Sequence, residues 1–234
     1  MRQNRSHALL FLMVIGITFF FVVCVQGATE KRMENKTSIR LPPPRTTGGI
    51  SVQDALTRRR SVRKYAAKPL TIEALSRLLW AAQGVSDSRG LRTAPSAGAL
   101  YPLETYVAVG DLTGLSPGLY KYEPNGHLLK RVSEGDLRLR LAVACSGQSW
   151  IKQSAAIIIF CGVYERTTKK YGRRGLQYVH MEAGHAAENL SLEAVSMDLG
   201  TVVVGAFDDE EVKDVLSLPA EETPLCLMPI GAVR

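Results

Sequence analysis

The sequence lacks short motifs that would place it in several large enzyme classes. It has no Gly-x-x-x-x-Gly-Lys segment and no His-Glu-x-x-His segment, which excludes a P-loop for nucleotide phosphates and the zinc site of common metallopeptidases. His180, Glu182 and His185 lie close together in the sequence, but the two histidines are five residues apart, or about 140° around a helix. We therefore predict no metal site. No internal repeat is visible.

Cysteine is also scarce. Of the four cysteines, Cys24 lies in the apolar N-terminal run, which leaves Cys145, Cys161 and Cys226. Three thiols cannot all pair with one another, and Cys161 lies in a strand-like apolar segment, so we interpret the three as buried free thiols. A disulfide framework is the alternative if the chain enters an oxidising compartment.

Residues 1–27 have the three parts of a secretory signal. Arg2 and Arg5 precede an apolar run from Ala8 to Val25, and small Gly27 follows, after which we predict cleavage. The run has about the 18 residues at which a spanning helix becomes possible, so an uncleaved anchor is the alternative. Either way we expect an exported protein, periplasmic or anchored in the inner membrane and facing the periplasm. No second apolar run is long enough to span, so any membrane contact would be confined to this segment.

The charge of the chain is mildly basic. Loss of residues 1–27 would remove Arg2 and Arg5 and lower the formal net charge from +7 to +5. This excess could favour an anionic cofactor, but it is too weak and too scattered to indicate nucleic-acid binding.

Residues 28–47 are polar and end in three prolines, which predicts a stiffened tether outside the core. Residues 48–234 then form one domain, in which helical and strand-like segments are mixed without strict alternation. This pattern favours an α+β sandwich over a doubly wound sheet. We predict helices at residues 51–60, 72–83, 137–145, 176–199 and 208–216, and strands at 106–110, 118–122, 127–132, 155–163, 201–204 and 225–230, with a tight hairpin turn at Asn125-Gly126.

A cluster of basic residues follows the first predicted helix. Within six residues, four arginines surround Ser61, namely Arg58, Arg59, Arg60 and Arg63. Guanidinium groups this close repel one another unless an anion lies among them, and arginine matches phosphate oxygens with a bidentate fork. The cluster is therefore a candidate phosphate site, with a solvated basic turn as the alternative.

Two further segments carry small residues where a flat ligand could approach the backbone. Residues 93–102 read Thr-Ala-Pro-Ser-Ala-Gly-Ala-Leu-Tyr-Pro, and residues 202–207 place Gly205 at the end of a predicted strand. An ordinary loop with a helix start is the alternative for the first segment, and a simple turn is the alternative for the second.

The order of these motifs resembles the nitroreductase superfamily. The motifs Arg-Arg-Ser-x-Arg, Ala-Pro-Ser-Ala-Gly-Ala-Leu-Tyr-Pro, Gly-His-x-x-x-Asn-Leu, Val-Gly-Ala-Phe and Met-Pro-Ile-Gly follow one another between about Leu41 and the C-terminus. Each is weak alone, but five in this order are specific. The resemblance extends to the SagB-type branch, which is related to the azoline dehydrogenases of thiazole- and oxazole-forming peptide synthetases. It implies a three-layer sandwich with a central, mainly antiparallel sheet flanked by helices. It also implies an intertwined homodimer with two flavins at its interface, to which the helix through Met181 and Met197 would contribute.

The resemblance also implies FMN as the cofactor and identifies the residues that would hold it. The phosphate and ribityl chain would be bound by Arg59, Arg60, Ser61 and Arg63. The ring would lie against Pro95, Ser96 and Ala97, with Leu100 in the same motif, and its N5 edge would meet the backbone of Val204 and Gly205. Many relatives add a basic residue beyond the Pro-Ile-Gly strand, where this chain ends, and Arg234 is the candidate substitute.

The activity implied is that of an FMN-dependent oxidoreductase. It would move a hydride through flavin N5 between a reduced donor, NAD(P)H or another compound, and a small-molecule or peptide acceptor. Lys170 and Tyr171 fall where azoline-oxidising relatives place a proton-removing pair, although a solvated basic loop also explains them. Two other functions stay open: an exported flavin-binding protein without turnover, such as a carrier or partner subunit, and a partner-binding domain that has lost the flavin.

Overall fold

The computed structural model describes residues 38–45 and 47–234, and the predicted signal segment lies outside them. The helices are α1 (Val52–Arg58), α2 (Ile72–Gln83), α3 (Arg138–Ala144), α4 (Tyr164–Tyr171), α5 (Arg174–Ser196) and α6 (Asp209–Leu216). The strands are β1 (Ser38–Arg40), β2 (Leu70–Thr71), β3 (Leu103–Val109), β4 (Leu112–Thr113), β5 (Gly118–Glu123), β6 (Leu128–Glu134), β7 (Ala156–Gly162), β8 (Leu199–Thr201) and β9 (Thr223–Ala232). None of these helices is both long enough and apolar enough to cross a membrane.

Seven of these strands form one sheet in the order β1-β6-β5-β3-β7-β9-β8. The neighbours from β6 to β8 in this order all pair antiparallel. Strands β2 and β4 form a separate parallel pair. The predicted α+β class with a central, mainly antiparallel sheet is therefore confirmed.

Strand β7 shows why both faces of the sheet are covered. All seven of its residues are buried. Ile158 and Phe160 pack in a cluster with α2 and α5, whereas Ile157 and Ile159 pack in a second cluster with α3 and α6. Because successive side chains of a strand point to opposite faces, a strand that is apolar throughout needs a helical layer on each side. The result is the predicted three-layer sandwich.

Three helices begin at a capping residue. The side chains of Ser51, Thr71 and Asp208 each accept a hydrogen bond from a backbone amide in the first turn of the helix that follows. The first helix ends at Arg58, however, two residues earlier than predicted. The chain therefore leaves the helix within the basic cluster and continues in extended form toward β8.

Three local predictions differ from the structure. The tether predicted at residues 28–47 is not wholly outside the core, because Ser38–Arg40 forms strand β1 of the sheet and Leu41 is 3% exposed within the core. The hairpin between β5 and β6 is closed by four residues, Pro124 to His127, with positive φ at Gly126 and at His127, instead of a two-residue Asn-Gly turn. Helix α4 was not predicted, because Thr167 is its single buried residue and no apolar repeat marks it.

The three cysteines of the domain are buried and unpaired, as predicted. Burial raises the pKa of Cys145 to about 11 and that of Cys226 to about 12. These thiols therefore stay protonated at neutral pH and are poor nucleophiles.

A half-buried histidine, His127, connects the β5–β6 hairpin to Pro42 near the end of the predicted tether. The Ser76 hydroxyl donates to the Pro42 carbonyl at 2.5 Å and lies 2.7 Å from Nε2 of His127. Nδ1 of His127 lies 2.8 Å from the hydroxyl of Tyr122. Since the serine proton is already donated, the neutral tautomer with hydrogen on Nε2 satisfies both contacts, and Nδ1 accepts from the tyrosine.

We expect this contact to weaken in acid. Burial lowers the pKa of His127 below its ordinary value, so folding favours the neutral ring. The stabilisation is therefore present above about pH 6.5 and is lost as the pH falls through the lower folded-state pKa. Urea unfolding of the wild type and of His127→Gln between pH 5 and 8 should show a free-energy difference that shrinks toward acid. A free-energy difference for His127→Gln that stays constant with pH would contradict the assignment.

Candidate functional site

The basic cluster is partly neutralised by carboxylates of its own domain. Arg58 forms an ion pair with Asp198 at 2.5 Å, and Arg59 lies 3.7 Å from Glu188 on α5. The repulsion expected among four guanidinium groups is therefore relieved for two of them without any external anion.

Arg60 and Arg63 are the two arginines that keep an unbalanced charge. Arg60 donates to the backbone carbonyls of Thr57 and Arg59, and Arg63 lies 5.9 Å from the ring centre of Trp150. Within the described residues, no carboxylate lies within 4.0 Å of either guanidinium group. Their charges are available to an anion from outside the chain.

Strand β8 holds the basic cluster against the sheet. Ser61 forms a parallel bridge with Thr201, and the amide of Val62 donates to the Thr201 carbonyl at 2.9 Å. A Cβ atom at Gly200 would lie 2.6 Å from Cγ1 of Val62, so glycine is needed for this close approach. The hydroxyl of Thr201 is buried without a hydrogen-bond partner.

The C-terminus reaches the same place. A cavity of about 350 Å³ is lined by Arg58, Arg60, Val62, Val195, Asp198, Leu199 and Val233. Val233 precedes Arg234, which is exposed. The structure therefore brings Val233, the neighbour of the predicted phosphate ligand Arg234, to the edge of the basic cluster.

Val204 and Gly205 follow β8 on this edge of the sheet. Val204 is bonded to Leu227 of β9 in both directions, with N–O distances of 2.8 and 3.0 Å. Gly205 is exposed, and a Cβ atom there would meet nothing within 4 Å. The anchored valine fixes a turn whose backbone at Gly205 is open to a ligand.

The segment from Pro95 to Leu100, here called the Pro95 loop, lies against α4 and α5. The hydroxyl of Ser96 accepts a hydrogen bond from the amide of Tyr101 at 2.9 Å, and Nδ1 of His185 on α5 lies 3.4 Å from the carbonyl of Pro95. Ala97 begins a single 3-10 turn. His185 is less than one helical turn from Glu188, the partner of Arg59, so the loop and the basic cluster both contact α5 at neighbouring positions.

Lys170 and Tyr171 lie at the end of α4 and contact the Pro95 loop. A Cβ atom at Gly98 would lie 2.7 Å from the Tyr171 hydroxyl and 2.9 Å from Nζ of Lys170. The ammonium group is 5.4 Å from the centre of the Tyr171 ring, which stacks edge-on against Tyr178 at 5.2 Å. The two residues are in a helix, not the basic loop that was the alternative.

We expect Gly98→Ala to cost more than its backbone strain. Gly98 has φ of +65°, where an added Cβ lowers the free energy of unfolding by about 1 kcal/mol. The new methyl group would also displace the hydroxyl of Tyr171 and Nζ of Lys170, which adds a smaller cost because both atoms lie at the ends of long side chains. Gly90→Ala is the matched control, because Gly90 has φ of +83° and no atom within 4 Å of an added Cβ. Urea unfolding should show the larger loss for Gly98→Ala, and equal losses would contradict the packing described.

Glu182 belongs to this region, although the sequence pattern indicated it only as a rejected metal ligand. It is 2% exposed and lines a cavity of about 290 Å³ beneath the Pro95 loop. Burial raises its pKa to about 7, while a hydrogen bond from Ser96 and the charge of Arg92 act in the opposite direction. The available signal was its helical position, since Val179 and Ala186, three residues before and four after, share its buried face.

The three candidate metal ligands in the sequence, His180, Glu182 and His185, have different surroundings in the structure. His180 contacts the hydroxyl of Tyr164 at 2.9 Å, Glu182 lines the cavity beside the Pro95 loop, and His185 approaches the carbonyl of Pro95. Within residues 38–45 and 47–234, no group of three or more such residues could hold a metal ion.

Comparison with known proteins agrees with this geometry. Residues 56–232 match the model of the nitroreductase family. The chain belongs to the nitroreductase family. A nitroreductase-family protein of Methanocaldococcus jannaschii is 49% identical over 182 residues, which cover 78% of this chain and 91% of that one. The crystal structure of another from Ralstonia eutropha superposes with a TM-score of 0.75 at 32% identity, over 85% of this chain and 90% of that one.

Other members of the nitroreductase family are more distant in sequence. The microcin B17-processing protein McbC of Escherichia coli is 25% identical over 224 residues, covering 92% of this chain and 82% of that protein. The FMN reductase [NAD(P)H] of Bacillus subtilis is 25% identical over 191 residues, covering 76% of this chain and 64% of that enzyme. The family predicted from the five motifs is thus confirmed, and with it a general flavin-dependent redox function.

One segment has the pattern of a hydrolase nucleophile without its geometry. Gly114, Ser116 and Gly118 match Gly-x-Ser-x-Gly, but they lie in the connection between β4 and β5, with no helix following the serine. A nucleophile elbow requires a strand-to-helix turn. This nitroreductase-family chain therefore has no hydrolase site at Ser116.

Proposed function

We propose that this protein is an FMN-dependent oxidoreductase that moves two electrons between a reduced donor and a small-molecule or peptide acceptor. The observation that supports this most directly is the pair of arginines beside Ser61. Within the described residues, no carboxylate balances the charge of Arg60 or Arg63, whereas the two arginines before them are paired with carboxylates. In a nitroreductase-family chain, the natural occupant of such a site is the phosphate of the flavin.

The residues present fit FMN. Arg60, Arg63 and Ser61 offer charged and hydroxyl donors to a phosphate, with Arg59 and Arg234 at the margins of the cluster. The buried hydroxyl of Thr201 lacks a partner beside them, and the open backbone at Gly205 allows a flat ring to come close. Pro95, Ser96, Ala97 and Leu100 supply a second surface of small and apolar side chains. When bound, FMN would supply hydride transfer at N5, and the protein would supply binding, orientation and control of water.

Lys170 and Tyr171 suit a reaction in which a proton is removed from the substrate. Both lie against the Pro95 loop at Gly98, and the cation faces the tyrosine ring. McbC, whose name describes the processing of microcin B17, is one relative over most of the chain. We therefore propose a SagB-type active site, with a peptide or a small heterocycle as substrate and Lys170-Tyr171 as the proton-removing pair.

We further propose that the working form is a homodimer. Met181, Gly184, His185 and Glu188 form an exposed row along α5, and Val52 and Leu56 of α1 are 64% and 55% exposed. Exposed apolar side chains on two helices that flank the candidate site suit a second copy of this chain. Light scattering during gel filtration should give a mass of twice that of the mature chain, and a monomer at micromolar concentration would exclude the proposal.

The location of the enzyme is proposed from residues 1–27. A cleaved signal or an uncleaved anchor would place the domain on the periplasmic side. Because NAD(P)H is a cytoplasmic cofactor, export would favour another reduced donor, such as a quinol. Fractionation of cells producing the full chain, with N-terminal sequencing of the product, separates cleavage, anchoring and retention in the cytoplasm.

We expect the purified protein to be yellow and to lose its flavin absorption on anaerobic mixing with a suitable donor. NADH, NADPH and a quinol are the donors to test, in that order. Bleaching by any of them identifies an enzyme. Bound flavin that no donor reduces would indicate a carrier or partner subunit. A colourless protein that FMN does not reconstitute would exclude both.

A further inference from the structure

Glu182 is a buried carboxyl group without a compensating ion pair. It is 2% exposed, and its Oε1 has no hydrogen-bond partner. The ion pairs found within residues 38–45 and 47–234 do not include it. A buried carboxylate without a cation is costly to a fold, so its position calls for an explanation beyond stability.

The surroundings of Glu182 are those of a ligand site. The cavity of about 290 Å³ that it lines is bounded by Pro95, Ser96, Ala97, Tyr178, Met181 and His185. Three of the seven lining residues belong to the loop that the proposed function places against the flavin ring. A molecule in the cavity would therefore contact both the carboxyl group and the loop.

Ser96 connects the carboxyl group to the loop. Its hydroxyl oxygen accepts the amide hydrogen of Tyr101 at 2.9 Å, and the same hydroxyl acts on Glu182 as a donor that lowers its pKa. An ionised carboxylate only accepts, so the serine proton is donated to Glu182. A change in the protonation of Glu182 therefore changes the hydrogen bonding of Ser96, the residue that we place beside the flavin ring.

The charges around Glu182 allow it to exist in both protonation states near neutral pH. Burial raises its pKa to about 7, against the Ser96 hydrogen bond and the positive charge of Arg92. Arg92 is itself held by Gln83 at 2.8 Å and over the Tyr101 ring at 4.4 Å. It therefore attracts the carboxylate without pairing with it.

Other titratable groups face the same cavity or loop. Tyr178 and His185 line the cavity from α5, and Lys170 and Tyr171 contact the loop from α4 at Gly98. Since His185 carries a titratable ring in the same cavity, a test must separate it from Glu182.

We propose that Glu182 is the general acid of the site, which protonates an electron acceptor as the acceptor takes up a hydride. The proposal rests on the proposed function, since the hydride comes from reduced FMN. For a quinone, one oxygen receives the hydride with its two electrons and the other receives the Glu182 proton. The product is a hydroquinone, the flavin is left oxidised, and the Glu182 carboxylate regains a proton from water.

The test follows the oxidative half-reaction with menadione as the probe. Photochemically reduced, FMN-loaded protein is mixed anaerobically with menadione between pH 5.5 and 8.5, and the return of flavin absorption is timed. The wild-type rate should fall about tenfold per pH unit above about pH 7. Glu182→Gln should be slower by about 100-fold at pH 6 and should lose this dependence.

Two controls assign the pH dependence. Glu165→Gln makes the same chemical change at an exposed glutamate on α4 whose ion-pair partner is Lys169, and it should match the wild type. His185→Gln should keep the fall above pH 7. A wild-type profile in Glu182→Gln, or a fall that disappears in His185→Gln, would overturn the proposal.

A second measurement needs no flavin. Infrared titration of the flavin-free protein with carboxyl-labelled glutamate should show one buried carboxyl group still protonated at pH 6, and this signal should be absent from Glu182→Gln, which separates it from the buried Glu222. Ionisation of every glutamate by pH 5.5 would overturn the assignment. If the protein binds no FMN, the proposed function fails while this titration still decides the state of Glu182.

Discussion

The double variant Arg60→Ala, Arg63→Ala should fold normally and purify without FMN. Each guanidinium group is expected to make a charge-assisted hydrogen bond to the phosphate, worth roughly 1.5–3 kcal/mol. Together they would raise the dissociation constant for FMN by about 10² to 10⁴-fold. Titration of the flavin-free protein with FMN, followed by flavin fluorescence, measures the change directly.

The structure explains why these two arginines should matter more than their neighbours. Arg58 and Arg59 already have the carboxylates of Asp198 and Glu188, which compete with any ligand anion. Arg60 and Arg63 have no such competitor within the described residues, and both are exposed, so their loss should cost the fold little.

The matched control for this experiment removes two arginines elsewhere. Arg89→Ala with Arg140→Ala lowers the net charge by the same amount at exposed positions outside the candidate site. It should bind FMN like the wild type and unfold at the same urea concentration. Retention of flavin by the Arg60, Arg63 variant would show that the phosphate is held elsewhere, and equal loss in both variants would show a nonspecific effect of net charge.

Much of the fold could be predicted because its signals are local. Ser51, Thr71 and Asp208 cap helices through contacts within one turn, and the apolar run that became β7 reports burial on both faces. Helix α4 gave no such signal, since its solvent-facing residues have no apolar period. The prediction of a two-residue turn before His127 is wrong because distant contacts help to determine the hairpin. His127 contacts Ser76, which is distant in sequence, and Tyr122, which lies across the hairpin.

The residues of the candidate site also differ in whether their signals are local in the sequence. The candidate phosphate cluster could be recognised because its arginines and Ser61 lie within six residues of one another. The neutralisation of Arg58 by Asp198 could not, because the partners are 140 residues apart. Glu182 could not be recognised for a related reason. Its environment depends on the loop at Ser96, which lies 86 residues earlier in the chain.

Gly200→Ala should weaken FMN binding without touching any residue proposed to contact the cofactor. The new Cβ atom would lie 2.6 Å from Cγ1 of Val62 and 2.8 Å from its Cβ. Because the Cβ of Val62 is fixed to the backbone, rotation of the side chain cannot relieve the contact, and the segment from Arg60 to Arg63 must move away from β8. We expect a loss of roughly 1–3 kcal/mol in the free energy of unfolding. FMN affinity should fall by about tenfold or more, which corresponds to about 1.4 kcal/mol.

The cause can be separated from the effect by a compensating change. Val62→Gly removes all three side-chain atoms that the new methyl group would meet. If steric displacement is responsible, the combination of Gly200→Ala with Val62→Gly should lose less stability and less FMN affinity than the sum of the two single variants. Additive losses would mean that Gly200 acts through β8 itself. The position of the arginines would then depend on the Ser61–Thr201 bridge and not on the fit between Gly200 and Val62.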